Sequence, residues 1–317
     1  MKLHLLFIGL IFFGKLFSQN DLISISPLWK LNEVRKVHSE ATMKVYINDT
    51  LSSDTKAVNS YTIKVIDTTK NYLLSYSQKA GDLDLSLSFN NTKADSVAQK
   101  LTKIIKMIEV RLTNFQYQIV LDKQSGQAIE IKNRQELNDS LTIIIKSIVY
   151  ELGTKKGKSQ EQMDSMATKI LRNFKAKEAS MIETTLNQVN VIFQAYSYSF
   201  PLKGSYSQEL MIHDVNAGGY FGASEFPATM VIQSVKNSNN TLKVNTNLLY
   251  DKKFLLEQIK KKSTAMNDLK EEDLSISEKN DILFDLKNTW IISHKSNVEF
   301  LTPKVKVYNE TTMTFSK

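Results

Sequence analysis

Apolar and polar residues alternate with a period of two over much of this chain. Leu83, Leu85, Leu87 and Phe89 alternate with Asp84, Ser86 and Ser88, and Phe115, Tyr117, Ile119 and Leu121 with Gln116 and Gln118. Tyr61, Ile63 and Val65 do the same against Thr62 and Lys64, and Tyr72, Leu74 and Tyr76 follow less strictly. One apolar and one wet face marks an antiparallel sheet, because parallel strands are covered on both sides and read as unbroken apolar runs. Asp122 to Gly126 followed by Ile129 and Ile131 reads as a hairpin, with glycine supplying a positive φ. Further strands are expected at Tyr206 to Ile212, Thr229 to Val235, Leu242 to Tyr250, Phe284 to Ile292 and Val305 to Phe315.

Helical spacing appears between these strands. Val97, Leu101, Ile104, Ile105, Ile108 and Leu112 form one stripe, with Thr92 and Asp95 placed as a capping box. Leu137, Leu141, Ile144, Ile148 and Leu152 form a second, opened by Asn133 with Glu136 three residues on and ended by Gly153 and Gly157. Ser159 to Ala195 is helical throughout. As one helix it would run roughly 55 Å, against a domain diameter of about 50 Å, so a break is expected in Lys175 to Ser180. Another helix is expected from Asp251 to Lys262. The pattern as a whole implies an α+β fold, with curved, half-barrel-like antiparallel sheet packed on amphipathic helices. The similar order of elements at the two ends suggests an internal duplication, with halves 19–132 and 196–317 joined by the helical segment 133–195.

The N-terminus changes the compartment. Met1-Lys2 is followed by an apolar run from Leu5 to Phe13 and by Gly14 to Gln19. That order reads as a signal peptide over 1–18, cut at Ser18/Gln19, and the run is too short to span a bilayer. The expected mature domain, 19–317, is therefore exported to the periplasm or the medium. The chain has no cysteine, which excludes disulfides, thiolate chemistry, cysteine-held metal and a lipid-modified N-terminal cysteine. No later apolar run is long enough for a transmembrane helix. The formal charge of +8 includes Lys2 and Lys15 of the leader. Export argues against nucleic acid as a partner, and the scattered lysines read as a solvated surface.

Candidate chemistry is sparse. His38, His213 and His294 are far apart in sequence and lack metal spacing. No serine sits in a G-x-S-x-G elbow. The glycine-rich stretch Ala217 to Ala223 is followed by Glu225, Phe226 and Pro227 and then a strand, not by the helix a phosphate cradle needs. It reads as a hairpin loop whose aromatics Tyr220, Phe221 and Phe226 form a contact surface. Glu271-Glu272-Asp273 reads as a solvated acidic connection. The helix Asp251 to Lys262 carries five lysines beside Phe254, Leu255 and Ile259, a stripe expected to cover a sheet rather than lie on lipid. Met163, Met166 and Met181 suit core filling or an adaptable apolar groove. No catalytic, cofactor-binding or metal residue is assigned, and no cofactor is expected.

Three segments resemble elements of uncharacterised periplasmic proteins of Gram-negative bacteria. They are Phe200-Pro-Leu-Lys-Gly-Ser-Tyr206, the opening Pro27-Leu-Trp-Lys-Leu-Asn-Glu33, and the strand-turn-strand Tyr117 to Leu137 leading to a helix. The order of elements also resembles the lipoprotein-carrier type of exported domain. That resemblance implies an open half-barrel whose concave face holds acyl chains. The leading expectation is a non-enzymatic exported protein binding a lipid or other apolar or amphiphilic ligand between sheet and helices. The alternatives are a structural or interaction module that docks an envelope protein, and an enzyme, such as a hydrolase, using His213 or His38 as acid-base.

Overall fold

The computed structural model describes residues 22–78, 84–89, 107, 111, 116–201, 204–213, 225–236, 239–262 and 267–317. The expected leader, the Val97 to Leu112 helix and the Ala217 to Ala223 loop lie outside these residues, apart from positions 107 and 111. Among the described residues no helix is long and apolar enough to cross a membrane.

Both ends of the chain contribute to one large antiparallel sheet. The first part supplies β2 (Val34–Ile47), β3 (Thr50–Asp67), β4 (Tyr72–Gln78), β5 (Asp84–Phe89), β6 (Gln116–Leu121) and β7 (Ala128–Ile131). The last part supplies β9 (Ser205–His213), β10 (Glu225–Lys236), β11 (Thr241–Tyr250), β12 (Ser275–Asp285), β13 (Ile291–Leu301) and β14 (Val305–Ser316). Their order is β7-β6-β4-β3-β2-β14-β13-β12-β11-β10-β9, with β5 pairing the lower part of β3. The expected halves therefore share one sheet, joined where β14 pairs with β2 from Val305↔Ile47 to Ser316↔Lys36. A separate two-stranded pair joins β1 (Leu22–Ser24) to β8 (Ser199–Pro201).

The helices are α1 (Arg134–Thr154), α2 (Gln160–Phe193) and α3 (Lys252–Lys262). Strand faces follow from burial. Val37, Met313, His294, Ile282 and Val244 are buried and face the helices, whereas Lys36, Glu40 and Glu310 on the other phase are exposed.

The sheet is strongly curved but not closed. Six strand intervals separate β6 from β12, which in a flat sheet would hold their terminal turns roughly 29 Å apart. A Cβ on Gly126, in the turn after β6, would lie 2.9 Å from the Cβ of Tyr196. The hydroxyl of the same Tyr196 donates to the Thr289 carbonyl, in the turn after β12, at 2.6 Å. One side chain bridges the two turns, so the sheet must curl around it. Trp29 completes this plug: it stacks on Trp290 at 4.2 Å and packs against Tyr72 at 5.0 Å and Phe193 at 5.4 Å. Aromatic rings suit this role because each covers a large area with few rotors to order.

Several expectations hold in detail. In the β6–β7 turn Asp122 Oδ1 accepts from the backbone N–H of Gln124 and Ser125, and Gly126 has φ +65°. In α3, Leu255 and Ile259 are buried while Lys252, Lys253 and Lys261 are exposed.

Others need correction. The helix α2 is unbroken through Lys175 to Ser180, a stretch of good helix formers without glycine or proline. Its length is accommodated because only its C-terminal end, with Val189, Ile192 and Phe193, enters the main core. Its N-terminal half pairs with α1 through a small cluster of Val149, Met163 and Ala167. Arg134 and Asn138 of α1 both bind Glu178 of α2, at 2.7 and 2.6 Å. Asn133 opens α1 as expected, but its side chain does not bond the backbone of the first turn: its amide spans the edge of β6, accepting from the Gln118 N–H and donating to the Gln116 carbonyl. Gly153 is the last residue but one of α1, where a Cβ would meet Met163 at 2.6 Å, and Gly157, with φ +64°, follows the helix end as expected. The expected strand Phe284 to Ile292 is instead the end of β12, a turn at 286–290 and the start of β13.

Candidate functional site

Among the described residues the concave face is fully buried at one end and less buried toward the other. At the Trp29 end its inward residues are buried. Further down the central strands, Ala41, Met43 and Val45 of β2, Ala57 of β3, and Ser296 and Val298 of β13 are only half-buried. The described helices do not seal this stretch as the aromatic plug seals the other end.

A polar seam crosses this region. The register aligns Ala41, Thr311, Ser296, Asn280 and Thr246 in one row across β2, β14, β13, β12 and β11. The next row down is Met43, Asn309, Val298, Glu278 and Leu248. All are inward positions, where the fold would ordinarily place apolar side chains.

The polar groups satisfy one another. Asn280 Oδ1 lies 3.2 Å from His294 Nε2, and Asn280 Nδ2 donates to Thr246 Oγ1 and to Glu278 Oε1, both at 3.2 Å. Tyr250 donates its hydroxyl to Glu278 Oε2 at 2.6 Å. Such a network tolerates burial because each donor meets an acceptor.

Burial dominates the electrostatics. It holds the His294 imidazole down at about 4, against a smaller upward pull from Asp281. It lifts the Glu278 carboxyl above the usual range, although hydrogen bonds from Tyr250 and Asn280 oppose the rise. The Tyr250 and Tyr198 hydroxyls are raised by burial and then by the neighbouring Glu278 charge. Of this hydrogen-bonded group Asn280, His294, Thr246 and Tyr250 are buried, and Glu278 alone is half-buried.

The three histidines are not brought together. His294 belongs to the seam. His38 lies on the convex face, 49% exposed, with Nδ1 3.2 Å from Ser60 Oγ and Nε2 3.1 Å from Glu40 Oε1. His213 ends the edge strand β9, opposite Glu225. No group of three or more His, Asp or Glu suited to a metal occurs among the described residues.

The expected contact surface needs a correction at Phe226, which is fully buried against Tyr250 with ring centroids 5.6 Å apart. Tyr220 and Phe221 lie outside the described residues. Glu271 to Asp273 form a short 3₁₀ turn tied to Lys270, with Glu271 and Glu272 exposed. Met163 fills the small α1–α2 cluster, and Met166 is 39% exposed. Sequence reasoning missed Glu278, Asn280, Thr246 and Tyr250 as a group. The available signal was Glu278 and Asn280 standing in phase with Ile276, Ile282 and Phe284.

No protein-family model and no curated protein matches the chain. It is similar in structure to lipovitellin, in a study of lipid–protein interactions in that protein, with a TM-score of 0.41 and 12% sequence identity. The match covers 91% of this chain and 25% of the lipovitellin chain, so this protein spans about a quarter of that length.

Proposed function

We propose that this is a non-enzymatic binding protein whose concave face holds an amphiphilic ligand. The observation that supports this most directly is the contrast along the face. Aromatic packing closes one end, while Met43, Val45, Val298 and Phe300 remain half-buried beside a polar seam. An apolar body would lie on these four residues and its polar group at Glu278, the half-buried member of the seam. A site of this kind combines apolar walls with a few fixed polar groups, which is how small-molecule sites obtain both affinity and orientation. On this reading the leader 1–18 carries the protein out of the cytoplasm, where amphiphiles move between membranes. Native mass spectrometry of protein purified from its own cell envelope tests it. A bound mass that lipid extraction removes is expected; empty protein that also takes up no fluorescent lipid would contradict it.

A second reading, docking of an envelope protein, draws on a separate feature. At the ends of β9, β10 and β11 a groove of about 670 Å³ is lined by residues including Met211, Pro227 and Leu249. Met211 is 54% and Leu249 50% exposed. If this groove is the functional surface, Met211→Glu with Leu249→Lys abolishes partner capture and leaves lipid uptake intact.

A further inference from the structure

The charges on the concave face are unevenly distributed. In the five strands β2, β14, β13, β12 and β11, the inward positions hold one carboxyl, Glu278, and one permanent cation, Arg35. Every lysine of these strands stands on the outward phase: Lys36, Lys44, Lys306, Lys295, Lys279 and Lys243. Arg35 cannot serve Glu278. It is eight residues up β2 from the Glu278 row, roughly 27 Å along the strand. It is also already engaged with Glu33 at 2.7 Å and lies over the Trp290 ring at 4.9 Å.

Glu278 is therefore held by two neutral donors, Tyr250 and Asn280, and by no cationic side chain among the described residues. The residue is half-buried, at the border between the seam and the less buried part of the concave face. A carboxyl in apolar surroundings without a counterion is poorly solvated as an anion. An anionic guest would add like charge there, and a neutral guest would leave the deficit. A protonated amine supplies the missing counterion and three donors.

Resting on the reading of the concave face as an amphiphile site, we propose that its ligand carries a protonated amine, which Glu278 receives with Tyr250 and Asn280 beside it. This runs against the overall charge of +8, which by non-specific attraction alone would favour anions.

The test uses the full chain and a neutral fluorescent probe, N-phenyl-1-naphthylamine, displaced by dodecylamine, dodecanoate or dodecanol below their micellar concentrations. The amine is expected to displace the probe at concentrations roughly ten-fold lower than dodecanoate, as a charge-assisted contact would give. Glu278→Gln should bring the amine to the level of dodecanol, and the outward Asp281→Asn should leave both probe affinity and the preference intact. Dodecanoate binding as well as or better than the amine to the wild-type chain overturns the proposal, as does a preference that survives in Glu278→Gln. A wild-type chain that binds no probe overturns the concave-face reading itself, and this inference with it.

Discussion

Glu278 and His294 occupy inward positions that a stability-driven sequence would fill with leucine or valine, and their titrations carry opposite signs. The folded His294 sits at about 4 against an ordinary 6.5. Between those values the unfolded chain binds a proton that the folded chain does not. Stability thus rises with pH across this window, by up to about 3 kcal/mol, and is fully present above 6.5. The Glu278 carboxyl is raised, so above the ordinary carboxylate range the unfolded chain ionises first and stability falls as pH climbs toward the raised value. Urea midpoints of wild type and His294→Gln, compared from pH 4 to 7, isolate the histidine. The wild type should gain on the variant across that range, and parallel profiles would show that His294 titrates normally. Gly126 is a residue-scale constraint of another kind. At φ +65° with Tyr196 2.9 Å from a would-be Cβ, Gly126→Ala should cost about 1–3 kcal/mol in thermal or urea unfolding.

At the scale of elements, legibility followed the hydrophobic pattern and failed where inward polar residues interrupt it. The strands β9, β10, β11 and β14 and the β6–β7 hairpin were readable because their inward positions are mostly apolar or their turn chemistry is local. Only the Tyr61 to Val65 part of β3 was readable, because further down its inward residues are Ser53, Thr55, Ala57 and Asn59. Most of β12 was hidden in the same way by Glu278 and Asn280. The polar seam itself removed the signal that would have revealed the strand carrying it, because inward polar residues erase the period-two contrast. The expected break in α2 is absent for a different reason: only its C-terminal end lies within the main core, so the domain diameter does not limit its length. Ala176→Pro tests its continuity. In an unbroken helix it should cost about 3 kcal/mol or more, whereas a hinge at this position would tolerate it with little change in the unfolding midpoint.

At the scale of the whole molecule, the pairing of β14 with β2 brings the two ends of the chain into one curved sheet, and Tyr196 with Trp29 locks the curl at one end. The curl places Met43, Val298 and Glu278 on the inside of a single concave surface, which no one segment of sequence encodes. The central claim is that this surface, and not the convex one, takes the ligand. Because the chain has no cysteine, single labels are unambiguous. Thr311 and Thr312 are adjacent on β14, with Thr311 in the inward row beside Ala41 and Ser296 and Thr312 on the outward phase beside Glu40 and Lys295. An environment-sensitive fluorophore on Thr311→Cys should shift its emission on titration with dodecylamine, while the same dye on Thr312→Cys should not respond. Equal responses at both positions, or a response at Thr312→Cys alone, would contradict the account.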